Sequence, residues 1–211
     1  MSNLIEAMKW RYSVNKFDKS NKLTDSQFNE LLEALILSPS SYGLQPWKFI
    51  VVTNPEVRVQ LQAAGYGQPK ITEASHLIVF AVEKNIDNAL VDKYIASVAN
   101  TRGLSVGDLK GYKDMIKGSL ATKTEDQKVE WATRQLYIAL GVLITAGAVN
   151  NIDVGPMEGF DTKKFDEILG LDKLGLESKV MAAVGFRSSD DPHAADKKVR
   201  YSKEEVVIEV K

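Results

Sequence analysis

The strongest constraint in this sequence is one long helical pattern whose C-terminal half is apolar on every side. Thr124 and Gln127 have capping-box spacing, and the pattern they open stays helical to about Asn150. From Leu136 onward no face is suited to water, so the helix must be central, either in a core or in a subunit interface. Its uncharged stretch, Leu136 to Val149, falls short of the ~20 residues that cross a bilayer. The start, MSNLIEAMKWRYS, carries Glu6 early and has no apolar run of signal-peptide length. A soluble, cytoplasmic protein with no membrane partner is expected.

The remaining elements must wrap around that helix. Leu4, Ile5 and Met8 predict a short amphipathic helix ending near Arg11. Thr24 and Gln27 open a second capping box, and Phe28, Leu31, Leu32, Leu35 and Ile36 form its apolar stripe; Pro39 stops it around Ser38. Trp47 to Thr53 predicts a strand, followed by an N-cap and first-turn proline at Asn54-Pro55 and a helix to about Ala64. His76 to Val82 and Val180 to Phe186 are uninterrupted apolar runs, as in strands buried on both faces. Polar, glycine-interrupted helices over 88–101 and 105–120 are expected to be more exposed and mobile. Asp161 caps a helix over 163–169, and Glu205 to Val210 is strand-like. Strands interleave with helices and no linker intervenes, which predicts one α+β domain over 1–211 with a mixed or antiparallel sheet and helices on both faces.

Several chemistries can be set aside. The chain has no cysteine, which excludes disulfides, thiolate catalysis and cysteine-ligated metals. Its 27 basic and 28 acidic residues leave a net charge of −1, with no general attraction to nucleic acid. No G-x-G-x-x-G follows a strand, and no Walker A sequence or G-x-S-x-G elbow occurs. His76 and His193 lack metal-binding spacing, and His76, opening an apolar strand, reads as a hydrogen-bonded structural histidine.

Four polar or glycine-containing patches remain between well-defined elements. They are Arg11-Tyr12-Ser13-Val14-Asn15-Lys16-Phe17, Ser38-Pro39-Ser40-Ser41-Tyr42-Gly43-Leu44-Gln45-Pro46-Trp47, Gly155-Pro156-Met157-Glu158-Gly159-Phe160 and Lys198-Val199-Arg200. Singly, each is an acceptable helix end, connector or solvated tail. As an ordered set they resemble the FMN-dependent nitroreductases and flavin reductases. The match is R-x-S, then S-P-S-S-x-x-x-Q-P-W, then P-x-E-G-F, then K-x-R. Ala74-Ser75-His76 and Glu130-Trp131 leading into Gln135 fit as well. S-P-S-S-x-x-x-Q-P-W and P-x-E-G-F carry most of the specificity.

The resemblance implies a nitroreductase-like fold with a central mixed sheet, and a homodimer that holds FMN at its interface and exchanges C-terminal strands. It implies an NADH- or NADPH-dependent oxidoreductase acting by ping-pong hydride transfer on a small aromatic oxidant: a nitroaromatic, quinone, flavin or pteridine. A specialised dehalogenase- or flavin-destructase-like relative and a non-catalytic FMN-binding protein are the alternatives.

The resemblance also assigns residues. Arg11, Ser13, Lys198 and Arg200, with Tyr12, would hold the phosphate and ribityl chain, where arginine suits a bidentate contact. Lys70, beside Gln68, would face the flavin N1 and C2 oxygen, where a cation stabilises the reduced ring. The backbone of Glu158 and Gly159, after Pro156 and Met157, would meet N5. Pro39, Ser40, Ser41 and Gly43 would reach the ring from the partner subunit, and Gln135 from the central helix. Hydride transfer would occur at flavin N5, with no protein group as the catalyst. Family members commonly carry Arg or Lys where this chain has Asn15, which implies a somewhat lower flavin potential. Tyr112 and Met115 fall in the expected substrate wall.

Overall fold

The computed structural model describes residues 3–211. In chain order it comprises α1 (Asn3–Trp10), α2 (Asp25–Ile36), β1 (Trp47–Val52), α3 (Pro55–Ala64), α4 (Lys70–Glu73), β2 (His76–Glu83), α5 (Asn88–Arg102), α6 (Lys110–Ala121), α7 (Glu125–Val149), β3 (Asp153–Met157), α8 (Thr162–Leu169), β4 (Leu176–Gly185) and α9 (Lys203–Val206). Both predicted capping boxes form: Thr24 and Thr124 accept from Gln27 and Gln127, whose side chains return to the cap backbones. Asn54 and Asp161 also cap as their positions suggest.

The four strands pair in the order β1-β2-β4-β3. Every pairing is antiparallel, so the mixed sheet that the resemblance implied is not found within the described residues. Helices cover both faces, which explains the uninterrupted apolar runs. Along β2, Ile78, Phe80 and Val82 enter a core shared with α2, α5, α6 and α7. Leu77 and Val79 enter a second core under α3, α4 and α8. Alternation is present, but both faces are dry.

Helix α7 packs against α1, α2, β2 and β3. Its length and hydropathy would let it cross a membrane, but Ala132, Leu136, Ala139, Leu140 and Leu143 are buried inside the fold. Gly147 sets its distance from the sheet: a Cβ there would lie 2.6 Å from Val154 Cγ2 and 2.9 Å from the Ile152 carbonyl. The opposite face is left bare, with Ile138 48% and Val149 40% exposed.

Two expectations need correction. β3 lies where a connector was expected. Pro156 is tolerated there because β3 is an edge strand and pairs on one side only. The helices α5 and α6 each bury a stripe, through Val91, Ile95 and Val98 and through Ile116 and Leu120, and leave most other positions exposed or half-buried. The C-terminal EVVIEV segment is not a strand in the single chain. Ser202 and Glu205 form a third capping box that starts the turn of α9, and Ile208 and Val210 then stand exposed.

Candidate functional site

The first patch follows α1 and is fixed by two acidic residues that sequence reasoning passed over. Asp153, buried at the start of β3, accepts from Arg187 through Nε at 3.0 Å, Nη2 at 2.6 Å and the backbone N–H at 2.9 Å. The Arg187 guanidinium also lies 3.9 Å from the Trp10 ring centre and 4.4 Å from that of Tyr12, so it grips the chain on both sides of Arg11. Asp191, also buried, accepts from the backbone N–H groups of Asn15, Lys16 and His193, each at 2.9 Å. Burial pushes the Asp191 carboxyl up, but these backbone hydrogen bonds prevail and hold it below the usual carboxylate range. Burial and the Asp191 charge push the Tyr12 phenol up to about 12.

These anchors bring the tail onto the first patch. Lys198 donates through Nζ to the Arg11 carbonyl. A cavity of about 370 Å³ opens between them, lined by Arg11, Tyr12, Ser13, Lys198 and Arg200 together with Lys9 and Lys197. Asp196 is the one carboxylate in that lining, and it is engaged by His193 Nδ1 at 2.8 Å. Arg11, Lys198 and Arg200 form no ion pair among the described residues. Burial, then repulsion from Arg200, holds the Arg11 guanidinium below its ordinary range. Lys198 is lowered by burial and then by Arg11 and Arg200. Cations that repel one another across a concave surface, offset only in part by Asp153, are chemically suited to an anion with several oxygens.

The third patch approaches the same place. A Cβ on Gly155 would lie 3.5 Å from the Val14 carbonyl, so β3 runs close to the loop holding Ser13 and Asn15. The Gln68 side-chain amide donates to the Gly159 carbonyl at 2.7 Å and the Gly65 carbonyl at 3.0 Å. Next to it, Lys70 heads α4 half-buried. Burial lowers its ammonium below the ordinary range, while Asp191 pulls the other way. The turn of α4 is held by a buried arginine: Arg58 donates to the carbonyls of Ile71 at 2.7 Å and Ala74 at 2.8 Å. Met157 points into the core, so only its backbone is available. Asn15 offers an exposed side chain on a backbone that Asp191 holds.

The second patch does not join the others. Pro39, Ser40, Ser41 and Gly43 lie outside the cavity lining, as do Asn15, Gln68, Lys70 and Pro156 to Gly159, but the second patch is tied to α6 and α7. Gln135 is buried, with its carbonyl oxygen accepting from Ser41 N–H at 2.7 Å and its amide donating to Trp131 at 2.9 Å. It therefore braces Ser41, with both ends of its amide engaged inside the chain. Tyr42 sits at φ 58° and Gln45 at φ 47°, conformations that cost on the order of 1 kcal/mol each and persist only under restraint. The restraint is visible: the Tyr42 hydroxyl reaches Ser119 Oγ at 3.0 Å, and Tyr112 donates to the Tyr42 carbonyl at 2.8 Å. His76 has a structural role, stacked on Phe28 at 3.7 Å with Nδ1 3.0 Å from Ser75 Oγ.

Comparison with known proteins shows the family and the fold. The model of the nitroreductase family matches residues 8–186. A protein of Staphylococcus saprophyticus, provisionally named an NAD(P)H nitroreductase, is 32% identical over 97% of this chain and 95% of its own length. Among solved structures, a Bacillus subtilis protein provisionally described as a nitroreductase superposes with a TM-score of 0.87 at 21% identity, covering 98% of each chain. A protein of Exiguobacterium sibiricum, solved in complex with FMN, gives 0.83 at 19% identity over 100% of this chain and 98% of that one.

Proposed function

The chain belongs to the nitroreductase family, and from that premise we propose that it is a cytoplasmic, homodimeric FMN oxidoreductase that takes electrons from NADH or NADPH. The observation that carries the reading is the cluster of Arg11, Lys198 and Arg200 beside Ser13, which forms no ion pair among the described residues. Lys198 and Arg200 reach only backbone carbonyls, and a phosphate monoester would supply the negative charge that the cluster lacks. The donor set beyond it fits the rest of the cofactor. Lys70 is a half-buried cation suited to the electron-rich pyrimidine edge, and a Cβ on Gly159 would meet nothing within 4 Å.

Bound FMN would supply the hydride chemistry, accepting from the nicotinamide and reducing a small aromatic oxidant in turn. The chain's own residues bind and orient. Arg11, Lys198 and Arg200 would anchor the phosphate, and Asp191 fixes the backbone of Asn15 and Lys16, which would orient the ribityl chain. Lys70 holds positive charge where electron density accumulates. Among the described residues the carboxylate nearest that edge, Glu158, is engaged by the Tyr137 hydroxyl, so solvent is expected to supply protons.

A second copy completes the site. The first and fourth patches line one cavity and Gly155 runs beside them, while Ser41 is held by Gln135, and a two-fold partner would deliver that loop to the other protomer's ring. The same copy would cover the apolar surface formed by Ile138 and Val149 of α7, Leu4, Ile5 and Met8 of α1, and the tail from Val206 to Val210. The test is anaerobic. The purified dimer should be yellow, and NADH or NADPH should bleach its visible flavin absorbance before an oxidant such as a quinone or nitroaromatic restores it. A colourless protein that takes up no FMN on reconstitution would sink the reading.

A further inference from the structure

We propose that Tyr137 is a positioning residue: with Gln68 it clamps the Glu158–Gly159 peptide from two sides, so that the backbone N–H groups there are presented to the reactive edge of the cofactor. The inference deepens the flavin reading above and rests on it.

Three observations lead here. The Tyr137 hydroxyl, on α7, donates to Glu158 Oε1 across the gap between that helix and the end of β3. From the other side, Gln68 spends its amide on the Gly159 carbonyl at 2.7 Å and the Gly65 carbonyl at 3.0 Å. Beyond the pair, the Phe160 N–H donates to the Glu158 carbonyl at 2.9 Å, and the Phe160 ring packs on Phe165 at 4.3 Å. Side chain, carbonyl and exit are thus all tied down.

The N–H groups are not. Glu158 and Gly159 lie past the last β3–β4 pair, Met157 with Met181, and neither N–H finds an acceptor among the described residues. A Cβ on Gly159 would meet nothing within 4 Å, so no neighbour in the chain requires glycine there. Two donors held rigidly beside open space are arranged for something outside the chain. An exposed surface hydrogen bond alone would explain Tyr137–Glu158, but not why the same peptide is gripped again by Gln68. Burial, the hydrogen bond and the Glu158 charge all push the Tyr137 phenol up, so it remains a donor across the working pH range.

The experiment compares the wild-type dimer with Tyr137→Phe, Glu158→Ala and the double variant. Affinity for oxidised FMN should change by less than about twofold, because the phosphate anchors are untouched. The visible flavin bands should shift, and the ratio of affinities for oxidised and reduced FMN should move about fivefold, the effect of one lost hydrogen bond. The double variant should match Tyr137→Phe rather than add to it. Bands and affinity ratio unchanged in Tyr137→Phe, or fully additive effects, overturn the clamp while leaving the flavin reading intact. A wild-type protein that takes up no FMN overturns both.

Discussion

Replacing Arg11 by Gln should move stability in opposite directions with and without cofactor. Among the described residues Arg11 has no ion pair, and burial and Arg200 disfavour its charge more than Asp153 favours it. Its side chain can be neutralised without orphaning a carboxylate. The Lys198 contact to residue 11 survives, because it is made to the backbone carbonyl. Cofactor-free R11Q should therefore be as stable as the wild type or slightly more so. With FMN present the sign reverses. A hydrogen bond to a charged group contributes about 2 kcal/mol, which corresponds to about a 30-fold loss of affinity. At a concentration 100 times the wild-type Kd, ligand linkage stabilises the wild type by about 2.7 kcal/mol and the variant by about 0.9 kcal/mol. Thermal unfolding with and without FMN, scanned by tryptophan fluorescence, reads both quantities. A cofactor-free R11Q that melts well below wild type, together with an undiminished FMN-induced rise in Tm, would show that Arg11 is a structural residue.

Other substitutions probe the supports of the site. Gly147→Ala should destabilise by about 1–3 kcal/mol despite the better helix former, because its methyl would press on Val154 and the Ile152 carbonyl; chemical denaturation measures this. Gln135→Leu leaves the Ser41 N–H without its acceptor and should cost about 1–3 kcal/mol, with a larger fractional loss in oxidant turnover than in FMN affinity. The Asp191 carboxyl is held low in the folded chain, so its contribution is complete above about pH 4 and is lost as pH falls through its folded value. Asp191→Asn should accordingly be less stable at neutral pH and show a flatter acid limb in stability against pH. Ile138→Glu, on the bare face of α7, should shift sedimentation towards monomer and release FMN in parallel.

Local chemistry made much of the scaffold legible. Thr24 with Gln27, Thr124 with Gln127, Asn54-Pro55 and Asp161 each specify a helix start by hydrogen bonds within a few residues, and each forms as expected. Where a nearby signal competed with a distant one, reading failed. EVVIEV alternates like a strand, but Ser202 caps a helical turn into it and no sheet edge of its own chain receives it. Asp153–Met157 contains Gly and Pro and looks like a connector, yet β4 supplies an antiparallel partner that no local pattern discloses.

The candidate site divides along the same line. Its cations and its loop motifs could be picked out because phosphate and flavin chemistry demand particular residue types. The groups that hold them could not, since Asp153–Arg187, Asp191 and Tyr137–Glu158 join residues 34, about 175 and 21 positions apart. Asp191 sits in a run of charged tail residues with nothing to distinguish it, and only the folded chain shows it buried against three backbone N–H groups. That asymmetry has a functional consequence. Arg11 and Lys198 repel one another and cannot keep the cavity open by themselves. Beyond the Lys198 contact to the Arg11 carbonyl, these unadvertised carboxylates hold the two segments together before any anion arrives, and a loss there should empty the site as surely as a loss of the cations.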